Sequence, residues 1–355
     1  MTQAPPDTAS SPRPDTRRPH GRLPSLFATE TTLFGWQGLS ATLPATWNLA
    51  SFGGKDEKGE LRIDDEEGAR LELRWETPKG DVDIERSIDN FLKNLGKTAE
   101  KRGLEFEIVN GVRLVSKSSK RKAQLVNFGW KGDRDEPVSQ GWGVGWKCDD
   151  CGRVVVAHMM GRGNESADKV QRLAGEVLTT LECHGTGGWR IWSVFDCRVE
   201  IPEEFHLGRA KLMTGQIDME WIRPRKPGMF AVFGRDERIA LSRWSLAAVL
   251  LERDTLTEWA KRKLTHRDKR WVFKEYNDDE GPRHAGLLSI GALRDLRLRY
   301  RGMAIDYVLR RRSPRAELRV WQCEPSNKIF ALSTDLSAAN QHVRADVLDS
   351  LECHS

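Results

Sequence analysis

The chain has 355 residues, which at roughly 100 to 200 residues per domain predicts two domains. A content of 38% hydrophobic and 31% charged residues, with a net charge of +5, is typical of a globular protein and excludes a chain that is disordered throughout. The longest uninterrupted aliphatic run covers residues 246–251. Because a membrane-spanning helix needs roughly 20 apolar residues, we expect no membrane partner.

The first 28 residues differ in composition from the rest. They contain six of the fifteen prolines and almost no large apolar side chain. Such a segment cannot bury enough surface to offset the entropy lost on ordering, so residues 1–28 are predicted to be a disordered tail. The tail has no apolar region typical of a secretory signal, and the six cysteines of the chain lack the density of a disulfide scaffold. A cytoplasmic location is therefore expected.

The remaining sequence shows an internal duplication. The tetrapeptide Leu-Glu-Cys-His occurs at residues 181–184 and again at 351–354. Upstream of it, Trp-Lys-Cys at 146–148 corresponds to Trp-Gln-Cys at 321–323. Because the matching motifs follow the same order, the chain is predicted to contain two copies of one fold.

We call residues 29–185 the first repeat and residues 186–355 the second repeat. In each, apolar periodicity predicts strands, a helix, more strands and a final helix. Strand runs separated by single helices favour the α+β class, here as two tandem antiparallel sheets with packed helices. The predicted helices cover residues 82–102, 166–181, 245–264 and 337–351.

Two short motifs recur within this pattern. An apolar strand runs into a Pro-x-x-aromatic turn at 43–47 and at 201–205, and the final helix ends in V-L-x-x-L at 177–181 and at 347–351. This combination resembles the PsbP-like superfamily of α/β/α sandwiches, which includes a photosystem extrinsic subunit, a nuclear import factor that binds the Ran GTPase, and the bacterial DcrB-like proteins. The resemblance implies two sandwich domains with a binding or assembly role and no catalysis. The Cys-His ending is not part of the general family pattern, so no binding residue is transferred from the family.

A second set of residues predicts a metal site. Cys148 and Cys151 form a C-x-x-C followed by glycine, as in a zinc knuckle. The strand predicted over residues 153–160 leads away for roughly 25 Å, and the helix after it returns by a similar distance. Cys183 and His184 should therefore lie beside the knuckle, and four such donors suit one tetrahedral structural zinc ion.

The second repeat does not contain the same four donors. It has Cys323, Cys353 and His354, but Ser326 occupies the position of the second knuckle cysteine. Adjacent Cys and His side chains also seldom reach the same metal. A four-ligand site is therefore predicted for the first repeat only.

Two alternatives remain for these cysteines. In the first there is no cofactor: Cys148 and Cys183 pack as small apolar groups or oxidise together, as would Cys323 and Cys353. In the second, His184 with its neighbouring cysteines forms a thiol and imidazole pair of an enzyme. Metal analysis of the purified protein distinguishes both alternatives from the zinc site.

Arginine is concentrated in the second repeat, which carries a net charge of +6 against −3 for the first. Alternation around residues 296–301 places three arginines on one face of a predicted strand. Such a face can hold phosphates or single-stranded nucleic acid, but the polar outer face of an antiparallel sheet has the same composition. The candidate nucleic-acid or phosphate-binding residues are Arg297, Arg299, Arg301, Arg310, Arg311 and Arg312.

Tryptophan is the most unusual component, with 13 Trp against 3 Tyr. The residues that recur in both repeats are predicted to lie in the core: Trp36 with Trp192, Trp75 with Trp244, and Trp146 with Trp321. The residues without a counterpart are predicted to form a binding surface, since Trp is enriched at interfaces: Trp130, Trp142, Trp189, Trp221, Trp259 and Trp271.

One glycine-rich segment suggests close packing. In residues 141–146, alternation places Trp142, Val144 and Trp146 on one face of a strand and three glycines on the other. The glycine face is predicted to pack closely against a helix or loop.

None of the nucleotide-binding, metalloprotease or serine-hydrolase motifs searched for occurs in the chain. The sequence therefore predicts a non-catalytic, tandem-domain binding or assembly protein with a protein partner. Nucleic-acid or phosphate binding and a thiol-based enzyme are the alternatives.

Overall fold

The computed structural model describes residues 30–116, 124–185, 187–224, 236–264, 271–275, 288–292 and 315–353. The predicted tail, the six candidate arginines and His354 lie outside these ranges. Within them, no helix combines the length and the apolar character that a membrane span requires.

The first repeat is built from nine strands and two helices over its described residues. The strands are β1 (Thr31–Trp36), β2 (Leu39–Pro44), β3 (Asn48–Gly54), β4 (Lys58–Asp65), β5 (Gly68–Glu76), β6 (Phe106–Val109), β7 (Gln124–Gly132), β8 (Gln140–Lys147) and β9 (Val154–Gly161). The helices are α1 (Ile84–Lys101) and α2 (Ala167–Thr179).

The described part of the second repeat also has nine strands. They are β10 (Trp189–Val194), β11 (Cys197–Pro202), β12 (His206–Met213), β13 (Gln216–Arg223), β14 (Glu237–Ser245), β15 (Trp271–Glu275), β16 (Leu288–Ala292), β17 (Arg315–Cys323) and β18 (Lys328–Leu336). The helices are α3 (Ala247–Leu250), α4 (Leu256–Leu264) and α5 (His342–Asp349), the last preceded by a 3-10 turn (Ala338–Asn340).

The two repeats contain sheets with the same strand order. One seven-stranded sheet runs β3-β4-β5-β9-β8-β7-β6 and the other runs β12-β13-β14-β18-β17-β16-β15. Adding nine to each strand number of the first gives the second. All of the strand pairs are antiparallel, which confirms the α+β class predicted from the sequence.

A third sheet joins the repeats. It has the order β11-β10-β1-β2, so the first hairpin of each repeat contributes two strands and β1 pairs with β10 at the centre. At the outer edges, Ser40 of β2 bridges to Glu182 and Arg198 of β11 bridges to Glu352. The glutamates of the two Leu-Glu-Cys-His segments, Glu182 and Glu352, therefore lie beside this sheet at corresponding positions.

Helix α1 forms where the sequence predicted it. Asp83 caps its N-terminus by accepting a hydrogen bond from the backbone N–H of Arg86 at 3.1 Å. Ile84, Ile88 and Leu92 recur every four residues and are buried. They pack in one cluster with aromatic side chains of β7, so α1 covers one face of the first seven-stranded sheet.

The single helix predicted over residues 245–264 is wrong. The structure has two short helices, α3 and α4, with a break at residues 251–255. The backbone N–H of Thr255 donates to Glu258 Oε2 at 2.9 Å, and the N–H of Glu258 donates to Thr255 Oγ1 at 3.2 Å. This capping box starts a new helix at Leu256, because both side chains satisfy backbone N–H groups that a continuous helix would use itself.

The glycines of β8 allow the close packing that their alternation predicted. A Cβ at Gly145 would lie 2.5 Å from the side chain of Ile88 on α1, and one at Gly143 would lie 2.3 Å from Phe128. A Cβ at Gly141 would contact the Trp130 ring at 2.2 Å. Helix α1 and the aromatic side chains of β7 therefore occupy the volume that β8 side chains would fill.

The recurring tryptophans lie in the core, as predicted, and all six are less than 10% exposed. The binding surface predicted from the others is wrong for those whose side chains are described. Trp130, Trp142, Trp221 and Trp259 are buried, and Trp189 is half-buried against the main core. In the first seven-stranded sheet, Trp130 packs in the cluster of α1 and Trp142 packs in the main core, so both are buried although they belong to different clusters. The side chain of Trp271 is not among those that the structure describes.

Candidate metal centre

Cys148 and Cys151 lie in the tight turn between β8 and β9. The backbone N–H of Cys148 donates to the carbonyl of Arg153 at 2.9 Å, and that of Gly152 donates to the carbonyl of Cys148 at 3.0 Å. Gly152 has φ of 68°, a left-handed conformation that favours glycine. The residue after the C-x-x-C therefore allows the chain to fold back within a few residues.

Helix α2 returns the chain to this turn. Strand β9 leads away from the knuckle and α2 packs back across β8 and β9. The helix ends just before Glu182, whose N–H donates to the carbonyl of Ser40 at 2.8 Å while its carbonyl accepts from the N–H of Ser40 at 3.0 Å. This pair of backbone bonds holds Cys183 and His184 beside the turn, where the lengths of the strand and helix predicted them.

The donor atoms of the four residues converge. One donor atom from each of Cys148, Cys151, Cys183 and His184 lies within 4.8 Å of all the others. The Cys151 and Cys183 Sγ atoms are 3.8 Å apart. His184 Nδ1 lies 3.5 Å from Cys148 Sγ and 3.3 Å from Cys183 Sγ.

These three separations are close to those of a tetrahedral site. For zinc–sulfur bonds of about 2.3 Å and zinc–nitrogen bonds of about 2.05 Å, tetrahedral angles place two sulfurs roughly 3.8 Å apart and a sulfur and a nitrogen roughly 3.5 Å apart. Cys183 and His184 are adjacent in sequence, and neighbouring side chains seldom reach the same ion. Here their donor atoms lie together, because the chain turns sharply after Glu182, the residue that pairs with Ser40. Adjacency is therefore no obstacle to binding one ion here.

Asp150 orients the histidine. Its Oδ2 atom lies 3.2 Å from His184 Nε2, on the opposite side of the ring from the sulfurs. A carboxylate that accepts from Nε2–H leaves the lone pair of Nδ1 free to coordinate a metal, which is a common arrangement for metal-bound histidine. Asp150 was not among the residues predicted for the site, although its position within the C-x-x-C turn was a signal for it.

A buried arginine fixes the backbone around the cysteines. Arg153 Nη1 donates to the carbonyls of Gln37 at 3.0 Å and Cys183 at 3.2 Å, and its Nη2 donates to the carbonyl of Asp56 at 2.9 Å. Only 7% of Arg153 is exposed. One side chain thus joins the β1–β2 hairpin, the β3–β4 loop and the end of α2.

The same loop contacts the second repeat. The carboxylate of Asp56 accepts from Arg190 Nη1 and lies within hydrogen-bonding distance of His206 Nδ1, each at 2.5 Å. Arg190 is on β10 and His206 is on β12. The cysteine cluster is therefore connected to the second repeat through Arg153 and Asp56, a link that residue spacing could not reveal.

The thiols share their protons unequally. The hydrogen bond with Cys183 lowers the pKa of Cys151 below its usual range. Burial raises the pKa of Cys148, and the hydrogen bond to Cys151 together with burial raises the pKa of Cys183. Cys151 is therefore the most acidic of the three thiols in the cluster.

The corresponding corner of the second repeat lacks this donor set. Among the described residues, the four side chains of the first repeat form the one group of three or more Cys, His, Asp or Glu residues close enough to share a metal. Ser326 occupies the position of Cys151, and its hydroxyl is buried without a described hydrogen-bond partner. Cys323 and Cys353 lie together in this corner.

Comparison with known proteins gives no family. No protein-family model matches the chain, and no curated protein matches it. Among solved structures, the chain is similar to the immunity protein TplEi of T6SS from Pseudomonas aeruginosa, complexed with "L" peptide. The identity is 10%, the match covers 91% of this chain and 97% of that chain, and the TM-score is 0.29. At this TM-score the similarity carries no argument about function.

Proposed function

We propose that Cys148, Cys151, Cys183 and His184 bind one structural zinc ion that locks the closing corner of the first repeat. The observation that supports this is the convergence of three sulfurs and one imidazole nitrogen, with three of their separations close to tetrahedral values. Three soft sulfur donors and an imidazole favour zinc over magnesium or calcium, which prefer oxygen. Four protein ligands leave no open position for water or substrate, which is the arrangement of a structural centre.

The chain as a whole is, in this proposal, a tandem-domain binding or assembly protein without catalytic activity. Each repeat is a PsbP-like α/β/α sandwich. The shared strand order supports the duplication, and in the first repeat α1 packs on one face of the sheet while α2 and the β1–β2 hairpin pack with the other. A closed zinc site supports a structural role for the cysteines over the thiol and imidazole enzyme.

Metal analysis of the purified protein tests the centre. We expect about one equivalent of zinc in the wild type, since the four donors close a single site. Cys183→Ser should lose it, whereas the matched change in the second repeat, Cys353→Ser, should retain it. Less than half an equivalent in the wild type, with no increase when zinc is added during expression, would contradict the proposal.

A pull-down from native extract tests the binding role. With the full chain as bait, we expect a protein partner that remains bound after nuclease treatment. If the zinc-locked first repeat takes part in binding, a chelator should weaken capture, and Cys183→Ser should weaken it equally. Capture that nuclease abolishes would instead favour the nucleic-acid alternative, whose candidate arginines lie outside the described residues. Capture of nothing would count against both binding roles.

A further inference from the structure

The closing corner of the second repeat contains a pair of thiols in close contact. Cys323 is the last residue of β17 and Cys353 follows α5. Their Sγ atoms are 3.0 Å apart, with the Cys353 thiol directed at Cys323. This is closer than the 3.8 Å between Cys151 and Cys183 in the first repeat. Two sulfurs at this distance need to move about 1 Å to form a bond of about 2.05 Å.

Backbone pairing holds both cysteines in place. Cys323 is paired with Lys328 at the end of the β17–β18 ladder. The residue before Cys353 is fixed to β11, since the N–H of Glu352 donates to the carbonyl of Arg198 at 2.9 Å and the carbonyl of Glu352 accepts from the N–H of Arg198 at 3.0 Å. These hydrogen bonds hold the two backbones in the corner, so the thiols stay at high effective concentration.

The corner also admits a reagent from solvent. Cys323 is buried, with 5% of its surface exposed, whereas Cys353 is partly exposed. The nearby Cys197 is fully buried, and burial raises its pKa to about 12. Cys353 is therefore the sulfur that an external oxidant reaches first.

We propose that Cys323 and Cys353 are an oxidation site that forms an intramolecular disulfide, so that a covalent bond closes the second repeat where a metal closes the first. The proposal rests on the sulfur contact and the fixed backbone, and it holds whether or not the first repeat binds zinc. It also explains why this corner tolerates Ser326 in place of a metal ligand. The oxidant is a low-molecular-weight disulfide such as glutathione disulfide.

The chemistry is two successive exchanges. The Cys353 thiolate attacks one sulfur of glutathione disulfide, which forms a mixed disulfide and releases one glutathione thiolate. The Cys323 sulfur then attacks Cys353 Sγ of the mixed disulfide and releases the second glutathione. Two protein thiols are oxidised, one glutathione disulfide is reduced, and the two thiol protons end on the two released glutathiones.

The environment of Cys353 makes the first exchange slow at neutral pH. Burial and the neighbouring Cys323 raise the pKa of Cys353 to about 12. Because the thiolate is the attacking species, its fraction increases with pH throughout the range below that pKa. The disulfide is therefore expected to form faster at pH 9 than at pH 7.

Peptide mapping of the full-length wild type tests the proposal. The protein is equilibrated with glutathione disulfide, denatured, alkylated, digested and analysed by mass spectrometry, with zinc content measured on the same sample. We expect a reductant-sensitive Cys323–Cys353 peptide in more than half of the molecules. Alkylation of both thiols in nearly all molecules, or a disulfide that joins either of them to Cys197 instead, would overturn the proposal.

Thermal unfolding provides a second measurement. Oxidation should raise the unfolding midpoint of the wild type by about 5 °C, because the disulfide lowers the conformational entropy of the unfolded chain. Cys353→Ser should show no such rise, and neither should Cys323→Ser. If these variants do not fold, the peptide map of the wild type decides alone. Absence of zinc before oxidation, with the linked peptide present afterwards, would contradict only the metal proposal.

Discussion

Cys183→Ser is expected to lower the free energy of unfolding by about 4 kcal/mol, which corresponds to roughly 10 °C in the melting midpoint. Cys183 is 4% exposed and lies between Cys151 and His184 in the cluster. In the proposed zinc site, its loss removes one ligand and with it the ion, which would stabilise the native state more than the unfolded chain. Differential scanning calorimetry with and without a chelator measures the effect.

The chelator distinguishes metal loss from a simple packing defect. Chelation should lower the midpoint of the wild type towards that of Cys183→Ser and leave the variant itself unchanged. Under reducing conditions, Cys353→Ser provides the matched control, because it alters the same position of the other repeat and should respond to chelator as the wild type does. A wild-type midpoint that chelator does not move would argue against a structural metal.

Trp192→Ala is expected to lower the free energy of unfolding by about 4 kcal/mol and to make the two repeats unfold separately. Trp192 is fully buried on β10, and its ring packs edge-to-face with Trp36 at 5.2 Å and with Trp221 at 5.3 Å. Trp36 in turn contacts Phe52 at 4.7 Å. This row of rings runs from the first repeat to the second. Trp192 lies at its centre and packs against a ring of each repeat.

Urea unfolding followed by circular dichroism measures this separation. The wild type should unfold in one transition, since one hydrophobic cluster includes residues of both repeats. Trp192→Ala should give two transitions. Trp259→Ala is the control: Trp259 is 3% exposed and packs on Trp244 in a cluster of the second repeat alone. Equal behaviour of the two variants would show that the row of rings does not couple the repeats.

The sequence predicted those features that depend on neighbouring residues or on element lengths. The apolar face and Asp83 cap of α1 specify a helix locally. Fixed rise per residue in a strand and a helix placed Cys183 and His184 beside Cys148. The break between α3 and α4 was also encoded locally, in Thr255 and Glu258, but the apolar run upstream of that pair suggested a longer helix.

The tryptophans required the tertiary structure. A Trp in a strand suits both a core and an interface, because its ring is large and apolar while its N–H is polar. Which role applies depends on what covers that face of the sheet. Trp130 and Trp221 are buried because other elements of the chain lie over them, and no property of their neighbours in sequence states this.

The sequence by itself therefore determined the α+β class, the recurrence of motifs and the candidate donor set, since each follows from periodicity and spacing along the chain. The tertiary structure decided which donors converge, that Asp150 and Arg153 contact them, and that Asp56 links them to the second repeat. It also decided that Cys323 and Cys353 touch. These contacts join residues that are far apart in sequence, and only the folded backbone brings them within hydrogen-bonding or coordination distance.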